Sequence, residues 1–134
     1  MKIQLDRVSA SESGEYYQVT FEGGLNREEA YVLVQRQFEF PDGGRCYLET
    51  HDQDYAGHLK VAHAELSRNR LFLKLARKKA GELEVLFNTT AENWREVARV
   101  LRIIVPRLKV SDAKAHANKA LQATAKTGPR LRAR

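Results

Sequence analysis

The segments Leu71-Phe72-Leu73-Lys74-Leu75, Leu83-Glu84-Val85-Leu86-Phe87 and Trp94-Arg95-Glu96-Val97-Ala98-Arg99-Val100-Leu101-Arg102-Ile103-Ile104-Val105 follow one another, and their apolar spacing changes before the third. In the first two, apolar side chains alternate, the period of a half-buried strand. In the third, Trp94, Val97, Ala98, Leu101, Ile104 and Val105, extended by Leu108, recur at three- and four-residue steps. That spacing lays one apolar stripe along a helix, with Arg95, Glu96, Arg99 and Arg102 on its other sides. Thr89-Thr90-Ala91-Glu92 fits a capping box in which Thr89 caps the helix and Glu92 returns the bond. Pro106 ends or kinks the helix. The stripe needs an apolar partner, and a sheet is the one large apolar surface the sequence offers. Strands followed by a covering helix define an α+β fold.

Working outward, the same alternation recurs at Ile3 and Leu5, at Tyr17, Val19 and Phe21, and at Val32 and Val34 with Phe38. Turn signals lie at Ser9 to Gly14, Gly23-Gly24, Pro41-Asp42-Gly43-Gly44, Ser67-Arg68-Asn69-Arg70 and Lys78 to Gly81. Their spacing suits hairpins, so the expectation is an antiparallel sheet of about six or seven strands with one amphipathic C-terminal helix packed on it. Tyr31-Val32-Leu33-Val34-Gln35-Arg36 is apolar on both faces at its start, which predicts a central strand covered on both sides there. Asn26 to Ala30 predicts a short helical turn. Residues 1–110 then form a single α+β domain. Residues 111–134, rich in Ala, Lys and Arg with Leu121 as the one large apolar residue before Leu131, read as a weakly packed basic helical tail with a disordered end.

The chain's 134 residues, 43% of them hydrophobic and 30% charged, suit one domain and exclude both intrinsic disorder and a collagen-like fibre. Cys46 is alone, so no internal disulfide or cysteine-based zinc site is available. The longest strongly apolar run near the C-terminal end, Leu101 to Leu108, is broken by Arg102, Pro106 and Arg107 and is far shorter than the roughly 18 to 20 residues of a membrane span. Asp6 precedes any apolar signal-peptide region, so a soluble cytoplasmic protein is expected. The net charge of +6 is unevenly spread. Residues 1–66 hold 6 basic and 12 acidic side chains, residues 67–110 hold 11 and 4, and residues 111–134 hold 6 and 1. The first 110 residues are therefore almost neutral, and basic character as a whole argues little for nucleic-acid binding outside the tail.

The densest polar cluster is Glu49-Thr50-His51-Asp52-Gln53-Asp54-Tyr55-Ala56-Gly57-His58, with His63 and Glu65 beyond it. His51, Asp52, Asp54 and His58 are ligand types for a divalent metal, but their spacing matches no established site, and an acidic surface loop turned at Gly57 explains them as well. His51 with Asp52 or Asp54 would also serve general acid/base chemistry. No nucleophile motif accompanies them, and Cys46 on a predicted strand reads as a small core residue. Gly23-Gly24 and Gly43-Gly44 close turns and open no helix, unlike phosphate-binding loops. Arg95, Arg99 and Arg102 with the tail would meet phosphates, yet no aromatic side chains interleave with them to stack bases. No metal, cofactor or catalytic residue is expected.

The order of several segments resembles the immunity protein 10 family of bacterial polymorphic toxin systems. They are Tyr31-Val32-Leu33-Val34-Gln35-Arg36, then Cys46-Tyr47-Leu48-Glu49, then Asp52-Gln53 with Tyr55 and Gly57, then Ala64-Glu65-Leu66-Ser67-Arg68-Asn69-Arg70-Leu71, before the amphipathic helix. The resemblance spans about residues 15 to 108. Tyr55-Ala56-Gly57-His58 departs from the family's glycine pair after the loop tyrosine, and the basic tail is an addition. The resemblance implies a non-enzymatic protein that neutralises a cognate toxin by stoichiometric occlusion. Because many toxin domains are basic nucleases, Glu49, Asp52 and Asp54 become the expected steering carboxylates and Tyr55 the expected amphipathic anchor. Tyr55 packed on its own sheet, with the acids serving only solubility, is the competing reading of those residues. Exposed edge strands offer strand addition as a second docking mode. The alternative function is a small nucleic-acid-associated or regulatory domain using Arg95, Arg99, Arg102 and the tail. Oligomeric state is not legible.

Overall fold

The computed structural model describes residues 1–23, 30–38 and 45–112. Nine strands and one α-helix occur among them, in the order β1 (Lys2–Gln4), β2 (Arg7–Ser13), β3 (Tyr16–Glu22), β4 (Tyr31–Gln37), β5 (Arg45–Thr50), a 3-10 turn (Gln53–Tyr55), β6 (Gly57–Ser67), β7 (Arg70–Leu75), β8 (Glu82–Leu86), α1 (Ala91–Ile104) and β9 (Lys109–Val110). The α+β class holds. The sheet is larger than expected and mixed: its order is β1-β8-β7-β6-β5-β4-β3-β2 with β9 beside β6, and β1–β8 and β6–β9 are parallel.

Alternation builds the inner face. Val19 and Phe21 on β3, Val32 and Val34 on β4, Cys46 and Leu48 on β5, Leu71, Leu73 and Leu75 on β7, and Leu83 and Val85 on β8 are all buried. The helix lays Trp94, Val97, Ala98, Leu101 and Ile104 into the same core, as its stripe predicts, with Val100 widening it. Its cap is displaced by one residue from the expected box. Thr90 is the N-cap, its Oγ accepting the Asn93 N–H at 3.0 Å, while the Thr89 hydroxyl donates to the Arg68 carbonyl at 2.6 Å.

The sheet's two ends belong to consecutive strands. Only Leu5 and Asp6 separate β1 from β2, and the Leu5 N–H donates to Leu86 O at 2.8 Å while the Asp6 N–H donates to Gly23 O at 2.8 Å. The sheet must curl until β8 and β3 meet across this dipeptide, and the Phe21 and Phe87 rings lie 4.9 Å apart where they do. β6 turns the corner. Its first half pairs with β5, its second half with β7, and the register slips between Val61 and His63, a bulge that bends the strand.

Two expectations are corrected here. Ser9 to Gly14, read as a turn, is mostly strand β2; only Gly14, at φ 62°, supplies the left-handed turn into β3. β2 escapes recognition because, as a polar edge strand, it turns little but Val8 and Ala10 inward. β4 is central as expected, but its second face is open: Tyr31, Leu33 and Gln35 are half-buried there. The helical turn expected at Asn26 to Ala30 lies, apart from Ala30, outside the described residues, as does the tail from residue 113 onward.

Candidate functional site

Because successive strand residues point to opposite faces, the buried rows of β3 to β6 leave a second set of rows facing outward. Register aligns Gln18, Gln35, Tyr47 and His58 across the four strands, and Thr20, Leu33 and Glu49 in the next row. The Gln35 carboxamide donates to the Gln18 side-chain carbonyl at 2.8 Å, and the Tyr47 and His58 rings sit 5.2 Å apart.

Glu49 is the centre of this face. Tyr47, two residues before it on β5, donates its hydroxyl to Oε1 at 2.8 Å, and Tyr31 on β4 donates to Oε2 at 2.7 Å. Two donors on one carboxylate favour its charged form, so Glu49 is held below the ordinary carboxylate range, first by Tyr31 and then by Tyr47. The same bonds raise both tyrosines above the ordinary phenol value. The result is a fixed negative charge between two oriented rings. Alternation places Tyr47 and Glu49 on one face, but Tyr31 reaches Glu49 only through the β4–β5 register, which sequence spacing does not disclose.

The remaining expected site residues divide. Asp52 caps the 3-10 turn, its Oδ1 accepting the Asp54 N–H at 2.9 Å. Asp54 is exposed, and its carbonyl accepts from Arg77 Nη2 at 2.6 Å. Tyr55 does not present itself as an anchor: its ring is 9% exposed within the core, the Arg77 guanidinium lies over it, and its hydroxyl accepts from the Met1 amino group at 2.8 Å. That position agrees with the competing reading, in which Tyr55 packs on its own sheet. A neutral, partly apolar ring can be drawn into the core by the same amphipathic character that suggested an interface. Arg77, which joins the acidic loop to the β7–β8 turn, carried no recognisable signal in the sequence.

The described histidines do not converge. His51 Nδ1 lies 3.2 Å from the Tyr31 amide nitrogen, His58 faces Tyr47, and His63 Nε2 meets Glu65 at 2.6 Å. Among the described residues no group of three or more His, Cys, Asp or Glu side chains is arranged to hold a metal ion. Cys46 is buried, and burial pushes its thiol up to about 12. Of the helix arginines, Arg99 is engaged by Glu12 at 3.0 Å and Glu96 at 2.6 Å. No helix among the described residues is long and apolar enough to cross a membrane. Comparison with protein families, curated proteins and solved structures returns no significant match for this chain.

Proposed function

We propose that this protein is an immunity protein, a stoichiometric antagonist of a cognate bacterial toxin, and that it catalyses no reaction. The observation that carries the reading is Glu49 fixed between Tyr31 and Tyr47 on an outer sheet face made of half-buried and exposed side chains. A carboxylate already oriented by two rings loses little conformational freedom when it meets a cationic partner, and tyrosine supplies contact area at low entropic cost. Asp54 and Asp52 lie just beyond Glu49 in the chain and add negative charge for steering a basic toxin domain. Tyr47 and Tyr31 take the anchoring role that Tyr55 cannot fill. The resemblance to the immunity protein 10 family supports the same reading. The nucleic-acid alternative is weakened by Arg99, whose charge is already met by two carboxylates.

The proposal requires a toxin domain encoded beside this gene, and stopped-flow association with that domain tests it. A one-to-one complex is expected, with Asp54→Lys lowering the association rate and Tyr47→Ala raising the dissociation rate. No complex with that domain at micromolar concentration overturns it.

A further inference from the structure

The two hydrogen bonds on Glu49 fall one on each oxygen, Tyr47 on Oε1 at 2.8 Å and Tyr31 on Oε2 at 2.7 Å. A carboxylate has about two acceptor positions per oxygen, so one position on each oxygen is left by this pair. Both donors are neutral phenols, which orient the charge without cancelling it. Glu84, Glu12 and Glu96 are met instead by guanidinium groups, from Arg70 in the first case and Arg99 in the others. The setting of Glu49 is partly apolar. Leu33 stands opposite it in the β4–β5 register, and Leu33, Tyr31 and Tyr47 are all half-buried on the same outer face. An oriented charge, remaining acceptor positions and two aromatic rings therefore coincide at one point of the sheet.

We propose that this point receives one arginine side chain of the partner protein, its guanidinium forked onto Oε1 and Oε2 of Glu49 against the Tyr31 and Tyr47 rings and its methylene stem along Leu33. The inference rests on the toxin reading and names the side chain that the toxin presents. A guanidinium is planar, donates two parallel hydrogen bonds to a carboxylate and stacks on aromatic faces. A lysine ammonium is a compact, strongly hydrated point charge without that fork, so it gives up more hydration beside the rings and gains fewer aligned bonds. An arginine stem covers apolar surface while its head stays polar, which suits the half-buried Leu33. Because the phenols already hold the carboxylate, the pairing orders one side chain rather than two.

A double-mutant cycle between the full chain and the toxin domain, read as dissociation constants, tests it. Each interface arginine of the toxin is changed in turn to lysine and measured against the unaltered chain and against Glu49→Gln. One of them should weaken the complex about tenfold with the unaltered chain and about twofold or less with Glu49→Gln. Glu49→Gln alone should raise the dissociation constant about tenfold or more. Glu22→Gln removes a charge from the same face, opposite Tyr31 in the β3–β4 register, and should change it less than about threefold. Chemical-shift titration of the chain by itself with N-acetylarginine amide and N-acetyllysine amide gives a second readout. The arginine amide is expected to shift Leu33, Tyr47 and Glu49 and to bind more tightly than the lysine amide. A tight complex indifferent to Glu49→Gln, the lack of any toxin arginine coupled to Glu49, equal weakening by Glu22→Gln, or equal affinity for the two amides overturns this inference and leaves toxin antagonism standing. Absence of any complex overturns the toxin reading itself, and the two amides then still decide whether Glu49 selects a guanidinium group.

Discussion

Glu49 shows how much a residue's role depends on neighbours that the chain brings from elsewhere. Its depressed carboxyl contributes stability that is complete above the ordinary carboxylate range and is lost as pH falls through the depressed value. Tyr31 and Tyr47 act at the opposite limit: their contribution is complete below the ordinary phenol value and is lost as pH rises through the raised one. The three-residue cluster is therefore intact across the neutral range. Replacing both tyrosines by Phe is expected to return Glu49 to the ordinary carboxylate range in an NMR titration; an already ordinary value in the unaltered protein would contradict the geometry. Cys46 carries a second residue-scale prediction. Buried, with its thiol pushed up to about 12, it should resist alkylation at pH 8 until the protein is unfolded, because the thiolate is the nucleophile. Rapid stoichiometric labelling of the native protein would show that the inner face of β5 is open. The acidic loop was visible in the sequence as a run of Asp and His, but only the structure separates its members: exposed Asp54, capping Asp52 and core-bound Tyr55.

At the scale of elements, the strongest periodicities translated directly into structure. β7, β8 and α1 are legible because each buries one face and exposes the other, so packing enforces the pattern. β2 and the start of β6 are not, since polar edge and open-face positions relax it: β2 reads Arg-Val-Ser-Ala-Ser-Glu-Ser, and the first half of β6 has no fully buried side chain. Parallel pairing of β1 with β8 is likewise invisible in a three-residue strand. The helix also guards the β2 edge. Asn93 Nδ2 donates to Val8 O at 2.8 Å and Arg99 reaches Glu12, so two points along an edge that would otherwise invite strand addition are occupied. Thr90→Ala removes the observed cap and should cost about 1 kcal/mol in denaturant unfolding. A null effect there, with full loss in Thr89→Ala, would restore the capping box read from the sequence. Leu101→Ala empties part of the fully buried stripe and should cost about 2–5 kcal/mol.

At the scale of the molecule, the acidic first half and basic second half of the chain do not become opposite faces. Arg99 binds Glu12, and Arg70 lies between Glu65 and Glu84, so the two halves interleave. The near-neutral charge of residues 1–110 places most of the basic excess in residues 111–134, so truncation there removes it. The cut belongs after Asp112, because Trp94 Nε1 donates to Asp112 Oδ1 at 3.0 Å and the Ser111 N–H donates to Leu66 O at 2.9 Å. Removing residues 113–134 should lower any salt-sensitive nucleic-acid retention and leave toxin antagonism in place. The central claim, which requires a toxin domain encoded beside this gene, is tested most directly by growth of cells that express that domain together with the chain ending at Asp112 or its Glu49→Lys, Asp54→Lys form, each checked by thermal unfolding. The account predicts rescue by the first and death with an equally well folded second; death with both, or rescue by both, would contradict it.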